Sequence, residues 1–196
     1  RELERLEDEV KALQSMGGAL PLWAAFAVED WNDALSPWLA PPVFGKHGFA
    51  GQAEKTLAYI QTTLIPELFT AYHLAEQTKI ALCGYSLSGL FALWAGSQSE
   101  RFNAVAGVSP SVWFPGYDNY EQAHPIRAEH VYLSLGDREE QTKNRAMAAV
   151  GNEIRALYAR LSERKVDCAL EWNAGNHFCE PELRVAKGVK WMIDSL

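Results

Sequence analysis

The sequence predicts an α/β fold in which a mainly parallel sheet is covered by helices on both faces. Two observations support this prediction. Short apolar runs of strand length alternate with longer stretches of helical length, as expected of parallel strands joined by helical crossovers. The apolar runs are continuous, which is typical of strands buried on both faces. At 196 residues the chain is expected to form a single domain over residues 1–196.

The first predicted element is an amphipathic helix over residues 1–15. Its apolar residues recur at helical spacing, and they are Leu3, Leu6, Val10 and Leu13. Gly17 and Gly18 end the pattern, because glycine disfavours continuation of a helix. We expect the apolar stripe to pack on the domain. A dimer seam is the alternative, although the pattern is short for a coiled coil.

The elements that follow are expected to alternate in type. The predicted strands are residues 22–28, 79–83, 102–108, 130–135 and 166–172. The predicted helices are residues 52–63, a second helix with Pro66 in its first turn, and residues 87–96, 142–164 and 182–196. Residues 29–51, which contain three prolines, are predicted to form a long loop. Such sheets bind ligands outside the carboxyl ends of their strands, so chemistry is expected directly after each strand.

The composition excludes several classes of function. The chain carries 18 Lys and Arg against 25 Asp and Glu, which gives a net charge of −7. Binding to nucleic acid or to an anionic membrane surface requires the opposite balance, so neither partner is expected. Residues 80–99 are uncharged and have the length of a membrane span, but their glycines and serines favour a buried strand followed by a buried helix.

Cysteine usage favours a reducing compartment. Cys83, Cys168 and Cys179 are odd in number and lack a C-x-x-C spacing, so we expect free thiols rather than disulfides or a zinc site. The first residues do not resemble a signal peptide, and we expect a cytoplasmic protein. No cofactor and no metal are expected, because the sequence lacks a P-loop, a dinucleotide-binding glycine pattern and a histidine–cysteine cluster.

A candidate nucleophile follows the predicted strand at residues 79–83. Ser86 lies in the run GYSLSG, a strand–serine–helix junction of the G-x-S-x-G type in which Ser88 replaces the last glycine. A nucleophile on so sharp a turn needs small neighbours two positions away, because the strand and the helix approach closely there. The N–H of Leu87, at the start of the helix, is a candidate oxyanion donor. The alternative is a structural turn whose serine caps the helix.

Two later strands end in residues that complete a serine hydrolase site. The strand at residues 130–135 precedes three carboxylates, those of Asp137, Glu139 and Glu140. The strand at residues 166–172 precedes a glycine-containing loop that bears His177. The chain order serine, acid, histidine is that of the α/β-hydrolases. We therefore predict a serine hydrolase built on Ser86 and His177, with the choice among the three carboxylates open.

Three stretches carry a resemblance to a known family: GYSLSGLFALW at 84–94, SPSVWFPG at 109–116 and GNHF at 175–178. With them the chain resembles, from about residue 22 onward, the putative-esterase family of α/β-hydrolases, which includes esterase D, enterochelin esterases and feruloyl esterases. The resemblance implies an α/β-hydrolase fold and a cofactor-independent enzyme that cleaves carboxylic esters or thioesters. It implies Ser86 as nucleophile and His177 as base.

The resemblance also ranks the remaining site residues. The family acid commonly lies three residues after the glycine that ends the strand, which favours Glu139 here, with Asp137 as the competitor. The second oxyanion N–H comes from a loop after an early strand, and the matching residue is Trp31. The chain departs from the family at Ser88 and in having less sheet upstream of residues 22–28.

Aromatic residues at the same edge favour an apolar or aromatic pocket. Trp113, our candidate substrate-binding residue, follows the strand at residues 102–108 together with Phe114 and Tyr117, and Trp38 lies in the long loop with Trp31. The alternative for each of them is packing beneath the loops. The short chain leaves hardly any room for a cap domain, so we expect a compact enzyme with a shallow site.

Other functions fit the same residues. An acyltransferase would differ only in the acceptor of the acyl group, and a non-catalytic binding module would keep the fold without the chemistry. A cysteine hydrolase built on Cys179 is disfavoured, because that residue lacks the helix N-terminal placement that lowers a thiol pKa. A small-molecule ester is the expected partner, and the sequence leaves the oligomeric state open.

Overall fold

A four-stranded parallel sheet lies at the centre of this computed structural model, which describes residues 2–43 and 45–196. The strands are β1 (Leu39–Ala40), β2 (Phe49–Ala50), β3 (Ala81–Tyr85), β4 (Ala104–Val108), β5 (His130–Gly136) and β6 (Asp167–Asn173). The helices are α1 (Glu2–Ser15), α2 (Trp31–Leu35), α3 (Ala53–Tyr59), α4 (Ile65–Ala71), α5 (Leu87–Gln98), α6 (Tyr117–Ala123), α7 (Arg145–Ala148), α8 (Val150–Glu163) and α9 (Pro181–Ser195). The sheet has the order β3-β4-β5-β6, and β1 pairs separately with β2 in antiparallel fashion.

Helices cover both faces of the sheet, as the sequence predicts. On one face, α5 and α8 share a core with the strands that includes Leu93, Val105, Leu133 and Ile154. On the other face, α1 and α9 share a second core that includes Leu13, Ala106, Tyr132 and Met192. Leu13 is 1% exposed and belongs to this second core, so the α1 stripe packs on the domain at its C-terminal end. Leu6 and Val10 are half-buried, and the side chain of Leu3 lies outside the described residues.

Several predicted elements exist with different boundaries. β3 begins and ends two residues later than predicted, and the predicted helix at residues 142–164 is divided at Ala149 into α7 and α8. The predicted loop at residues 29–51 contains α2, β1 and β2. The Asp30 side chain caps α2 by accepting a hydrogen bond from the Asp33 N–H. This capping residue is a local signal for a helix, but the prolines of the segment favoured the prediction of a loop.

Residues 53–71 form one continuous helical run instead of the two separate helices predicted. A π-helical turn, Ile60–Leu64, joins α3 to α4 directly before Pro66. Proline lacks an N–H for the helix ladder, and its ring clashes with the carbonyl four residues earlier. The wider π-turn accommodates this defect, so the helix continues through the proline.

The predicted buried strand at residues 22–28 is wrong. These residues have no regular secondary structure, and Leu22 is 47% exposed. Together with β3 they line a cavity of ≈ 580 Å³. A continuous apolar run becomes a buried strand only where a neighbouring strand pairs with it. In the described part of the chain β3 is an edge strand, and the cavity lies where such pairing would occur.

The uncharged residues 80–99 contain β3 and α5, in agreement with the predicted strand and helix. None of the described helices combines the length and the apolar character needed to cross a bilayer. The three cysteines are free thiols, as expected. Burial, and secondly the charge of Glu9, raises the pKa of Cys83 to about 12, so this thiol serves as packing.

We predict that Glu9 lowers the stability of the folded protein as the pH rises. Burial, and then the charge of Glu182, raises the pKa of Glu9 from 4.5 to about 7, against an opposing effect of Arg5. An acid whose folded pKa is raised favours folding while protonated, and this contribution is lost as the pH rises through about 7. Glu9→Gln should therefore raise the melting temperature more at about pH 8 than at about pH 5.

Glu7 offers a matched control on the same helix, because its side chain is 73% exposed. Glu7→Gln should change the melting temperature little at either pH. An effect of Glu9→Gln that is equal at both pH values would contradict the prediction.

Candidate active site

Ser86 lies on a strained turn between β3 and α5. Its backbone has φ 62° and ψ −121°, and residues other than glycine rarely adopt such a positive φ. The Ser86 N–H donates to the carbonyl of Val108 at 3.0 Å, and the Ser111 N–H donates to the carbonyl of Ser86 at 3.0 Å. The segment at the end of β4 therefore holds the turn on both sides, and Leu87 begins the helix whose first N–H groups are free of intrahelical partners.

The residues around the turn explain the pattern G-x-S-x-S. A Cβ on Gly84 would lie 2.1 Å from the carbonyl oxygen of Ser88, so only glycine fits at that position. Ser88 does more than replace a small residue. Its hydroxyl donates to the carbonyl of Tyr85 at 2.7 Å and accepts from the Tyr85 N–H at 2.9 Å. This departure from the family motif thus closes the turn through hydrogen bonds that glycine cannot make.

The structure brings His177 to Ser86 and to one of the three candidate carboxylates. The distance from His177 Nε2 to Ser86 Oγ is 3.0 Å, and the distance from His177 Nδ1 to Glu139 Oε2 is 2.7 Å. The His177 side chain is 25% exposed and that of Glu139 is 4% exposed. A donor–acceptor chain therefore connects a buried carboxylate, a partly exposed imidazole and a hydroxyl at the carboxyl ends of three strands.

Glu139 is held as a carboxylate by its surroundings. Burial by itself raises its pKa, but the hydrogen bond and the charge of His177, the Ser109 hydroxyl and the Gly136 N–H together lower the pKa below its usual value. Ser109 Oγ donates to Glu139 Oε1 at 2.7 Å, and the Gly136 N–H donates to the same oxygen at 2.7 Å.

The other two carboxylates have different partners. Asp137 Oδ1 accepts a hydrogen bond from the Gly175 N–H at 2.8 Å, which fixes the loop before His177. Glu140 pairs with Arg155 at 3.1 Å on the exposed side of α8. Of the three acids left open by the strand-end argument, the structure thus places Glu139 against the imidazole.

Three further polar residues contact this group, and sequence reasoning missed them. Tyr85, Ser109 and Arg184 all lie within hydrogen-bond distance of Glu139 or His177 or of each other. Ser109 directly follows β4, so the strand-end rule contained a signal for it. Arg184 lies on α9 beside the buried Val185 and Ala186, and a charge next to such an apolar stripe was the available clue.

The residues predicted to form the aromatic pocket and the second oxyanion donor lie in different surroundings. Trp31, 47% exposed, starts α2 and lines the cavity shared with Tyr85 and Ser88, and Trp113 is partly buried against the main core. Two of the aromatic residues expected at this edge, Phe114 and Tyr117, are instead core residues, because each is only 2% exposed. Trp38 packs on Phe114 and donates its indole N–H to the carbonyl of Pro115 at 2.8 Å, so it holds loops together.

One group of described side chains could reach a common cation, namely Asp30, Asp33 and His47. Asp30 caps α2, and Asp33 accepts a hydrogen bond from the Ala50 N–H at 2.9 Å. Both carboxylates therefore have structural partners, and they also lie 3.6 and 3.4 Å from His47 Nε2, within ion-pair distance.

The fold and the strained serine turn define the class of protein. In the α/β-hydrolases, a strand of a parallel sheet leads through a serine on a strained turn into a buried helix, as β3 leads through Ser86 into α5 here. No cap domain covers the carboxyl ends of the strands in the described part of the chain. Residues 32–178 match the family model described as Putative esterase. The chain belongs to this family and is a carboxylic ester hydrolase.

Solved structures support the same fold. The siderophore hydrolase EstA from Aspergillus nidulans is 18% identical with a TM-score of 0.73, over 97% of this chain and 79% of its own. An IroE-like serine hydrolase from Shewanella oneidensis is 16% identical with a TM-score of 0.72, over 96% of this chain and 67% of its own. The enterobactin esterase FES from Shigella flexneri is 21% identical with a TM-score of 0.60, over 72% of this chain and 39% of its own. No curated protein matches the chain.

We predict that the Ser88 hydroxyl stabilises the serine turn. Ser88→Ala removes both hydrogen bonds to Tyr85 and leaves a partly buried N–H without its partner, which should lower the free energy of unfolding by about 1–2 kcal/mol. Denaturant unfolding measures this change. Ser162→Ala is the control, because Ser162 is exposed on α8 and its loss should change stability by no more than about 0.5 kcal/mol. Equal effects of the two substitutions would contradict the prediction.

Proposed function

We propose that the chain hydrolyses carboxylic esters or thioesters through an acyl-enzyme on Ser86, with His177 as general base and acid and Glu139 as the acid of the triad. The observation that carries the proposal is the continuous chain of contacts from Glu139 Oε2 through both ring nitrogens of His177 to Ser86 Oγ, at 2.7 and 3.0 Å. This is the geometry that nucleophile activation requires.

The tautomer of His177 follows from its partners. Glu139 is an ionised carboxylate and can only accept, so His177 Nδ1 carries a proton and donates to Oε2. His177 Nε2 then accepts from the Ser86 hydroxyl. When Ser86 Oγ attacks the ester carbonyl carbon, its proton passes to Nε2, and Glu139 stabilises the imidazolium that results.

The second half of the reaction uses the same groups. His177 gives its proton to the departing alcohol or thiol as the tetrahedral intermediate collapses to the acyl-enzyme. Water then attacks the acyl carbon and loses a proton to Nε2, and the acid product leaves as that proton returns to Ser86 Oγ. The Leu87 N–H at the start of α5 is the first oxyanion donor, and the Trp31 backbone N–H is proposed as the second.

The substrate is a small-molecule ester, and Trp113 is proposed to contact it from the loop after β4. Two of the similar structures carry the names siderophore hydrolase and enterobactin esterase, so siderophore esters belong in the substrate panel together with simple esters and thioesters of graded acyl length. The His177 side chain is 25% exposed, which supports a shallow site that is open to bulky substrates.

We predict that Ser86→Ala abolishes hydrolysis of a p-nitrophenyl ester and labelling by a fluorophosphonate probe, while the melting temperature is nearly unchanged. Ser111→Ala is the control, because Ser111 is a buried neighbouring serine. The probe should still label this variant at Ser86. Hydrolysis that survives Ser86→Ala contradicts the nucleophile assignment. Folded, unlabelled wild-type protein would favour a non-catalytic binding module. Product formed with an added alcohol in preference to water would favour an acyltransferase.

We predict that the three carboxylates behave differently when each is made neutral. Glu139→Gln should lower kcat by about 10³- to 10⁴-fold, because the amide favours the wrong imidazole tautomer. Asp137→Asn retains an oxygen that accepts from Gly175 and should lower kcat by less than about 10-fold, and Glu140→Gln should have no effect. Steady-state kinetics measures all three. A larger loss in Asp137→Asn than in Glu139→Gln would exchange the two roles.

A further inference from the structure

Arg184 is a buried cation that the proposed reaction does not use. Its side chain lies on α9 and is 2% exposed. Nη1 donates to Glu139 Oε1 at 2.9 Å and to Ser109 Oγ at 3.2 Å. Nη2 donates to two backbone carbonyls of the loop that bears His177, those of Ala174 and Asn176, each at 3.0 Å. One guanidinium therefore contacts both the carboxylate and the loop of the histidine.

These contacts divide the two oxygens of Glu139 between separate tasks. Oε1 receives hydrogen bonds from Gly136, Ser109 and Arg184, at 2.7, 2.7 and 2.9 Å. Oε2 is left to receive the hydrogen bond from His177 at 2.7 Å. Three donors on one oxygen fix the carboxylate plane, so the second oxygen has one orientation relative to the imidazole.

We propose that Arg184 is a positioning residue that sets the distance and angle between Glu139 and His177. This proposal rests on the proposed function, because it assigns a role within the Ser86–His177–Glu139 group. Arg184 itself contacts neither substrate nor the reacting atoms. It acts by binding the carboxylate through one nitrogen and the carbonyl of the residue before His177 through the other.

The planar fork of arginine is needed for this geometry. A guanidinium presents fixed, divergent N–H groups, whereas the ammonium of lysine is a point charge on a flexible stem. The backbone is shaped to admit the fork: a Cβ on Gly136 would lie 3.0 Å from both terminal nitrogens of Arg184 and 2.4 Å from the carbonyl of Gly175. Tyr85 adds a third anchor, because its hydroxyl donates to the carbonyl of His177 at 2.6 Å.

The charge of Arg184 also acts on the Glu139–His177 pair. Two titratable groups face the guanidinium directly: the Glu139 carboxylate, and the hydroxyl of Tyr85 in β3, which lies 3.5 Å from Nη1. His177 is linked to the guanidinium through its hydrogen bond with Glu139. The guanidinium offsets part of the negative charge of Glu139. Without it, the pair takes up a proton more easily, and the protonated pair cannot act as a base.

Two substitutions separate the charge from the fork. Arg184→Lys keeps the charge and loses the fork, and Arg184→Gln loses both the charge and the fork. Arg160→Gln is the matched control, because Arg160 binds the buried Glu121 at 2.7 Å and lies on α8, apart from the triad. For each variant we would measure the melting temperature, fluorophosphonate labelling, and kcat and KM for a p-nitrophenyl ester across the pH range.

Both Arg184 variants should lower kcat by about 10- to 100-fold with little change in KM, because misplacement of the base affects the chemical step. In Arg184→Gln alone the acidic limb of the kcat/KM profile should move to higher pH, by about half a unit. Arg160→Gln should lower the melting temperature and leave kcat and the limb unchanged. A purely structural role of Arg184 would lower the melting temperature without moving the limb.

Wild-type kcat in Arg184→Lys overturns the proposal, and so does a loss of kcat in Arg160→Gln as large as that in Arg184→Gln. If Arg184→Gln does not fold, Arg184→Lys decides the question. A failure of the proposed function would give a different result, because Ser86→Ala or Glu139→Gln would then retain activity. If those two variants are inactive and the Arg184 variants match wild type, only the role of Arg184 is refuted.

Discussion

The arrangement of the site depends on one buried carboxylate. The Glu139 side chain is 4% exposed, and hydrogen bonds reach it from the ends of β4 and β5, from α9 and from the loop after β6. A buried charge destabilises the folded state unless its hydrogen bonds are satisfied. The protein therefore gains most stability from this group only when all four elements take their places. The interaction that offsets the burial of Glu139 is the same one that sets His177 beside Ser86.

Backbone strain at two neighbouring strand ends is supported in a similar way. Ser86 and Ser109 have φ values of 62° and 44°, in the region that favours glycine. The Ser86 N–H donates to the last residue of β4, and the Ser109 N–H donates to the carbonyl of Ser134 in β5 at 2.9 Å. Each strained serine is thus fixed by the next strand of the sheet, which allows its hydroxyl to face Glu139 or His177 rather than relax.

The sequence allowed prediction where local rules suffice. The parallel sheet, Ser86 and His177 follow from apolar runs and from what stands at strand ends. The choice of Glu139 required the family resemblance, because three acids within four residues differ only in the direction of their side chains. Arg184 was missed because a charge on an amphipathic helix is ordinarily exposed, and its partners are about 45 to 100 residues away or in another loop. Residues 22–28 were misassigned because a strand also needs a neighbour, which a local pattern does not report.

The cavity at the open edge of the sheet lies beside β3 and is lined by neither Ser86 nor His177. The hydrogen bonds that fix Ser86 and Glu139 involve Val108 and Ser109 at the end of β4, Gly136 of β5 and Arg184 of α9, and none of these residues lines the cavity beside β3. Tyr85 is the described residue that joins the two regions, because it lines the cavity and its hydroxyl holds the carbonyl of His177. Trp31, which carries the proposed second oxyanion donor, lines the same cavity. A change in the packing of residues 21–28 against β3 would therefore reach the site first through Trp31 and Tyr85, before it reached the hydrogen bonds of Ser86 and Glu139.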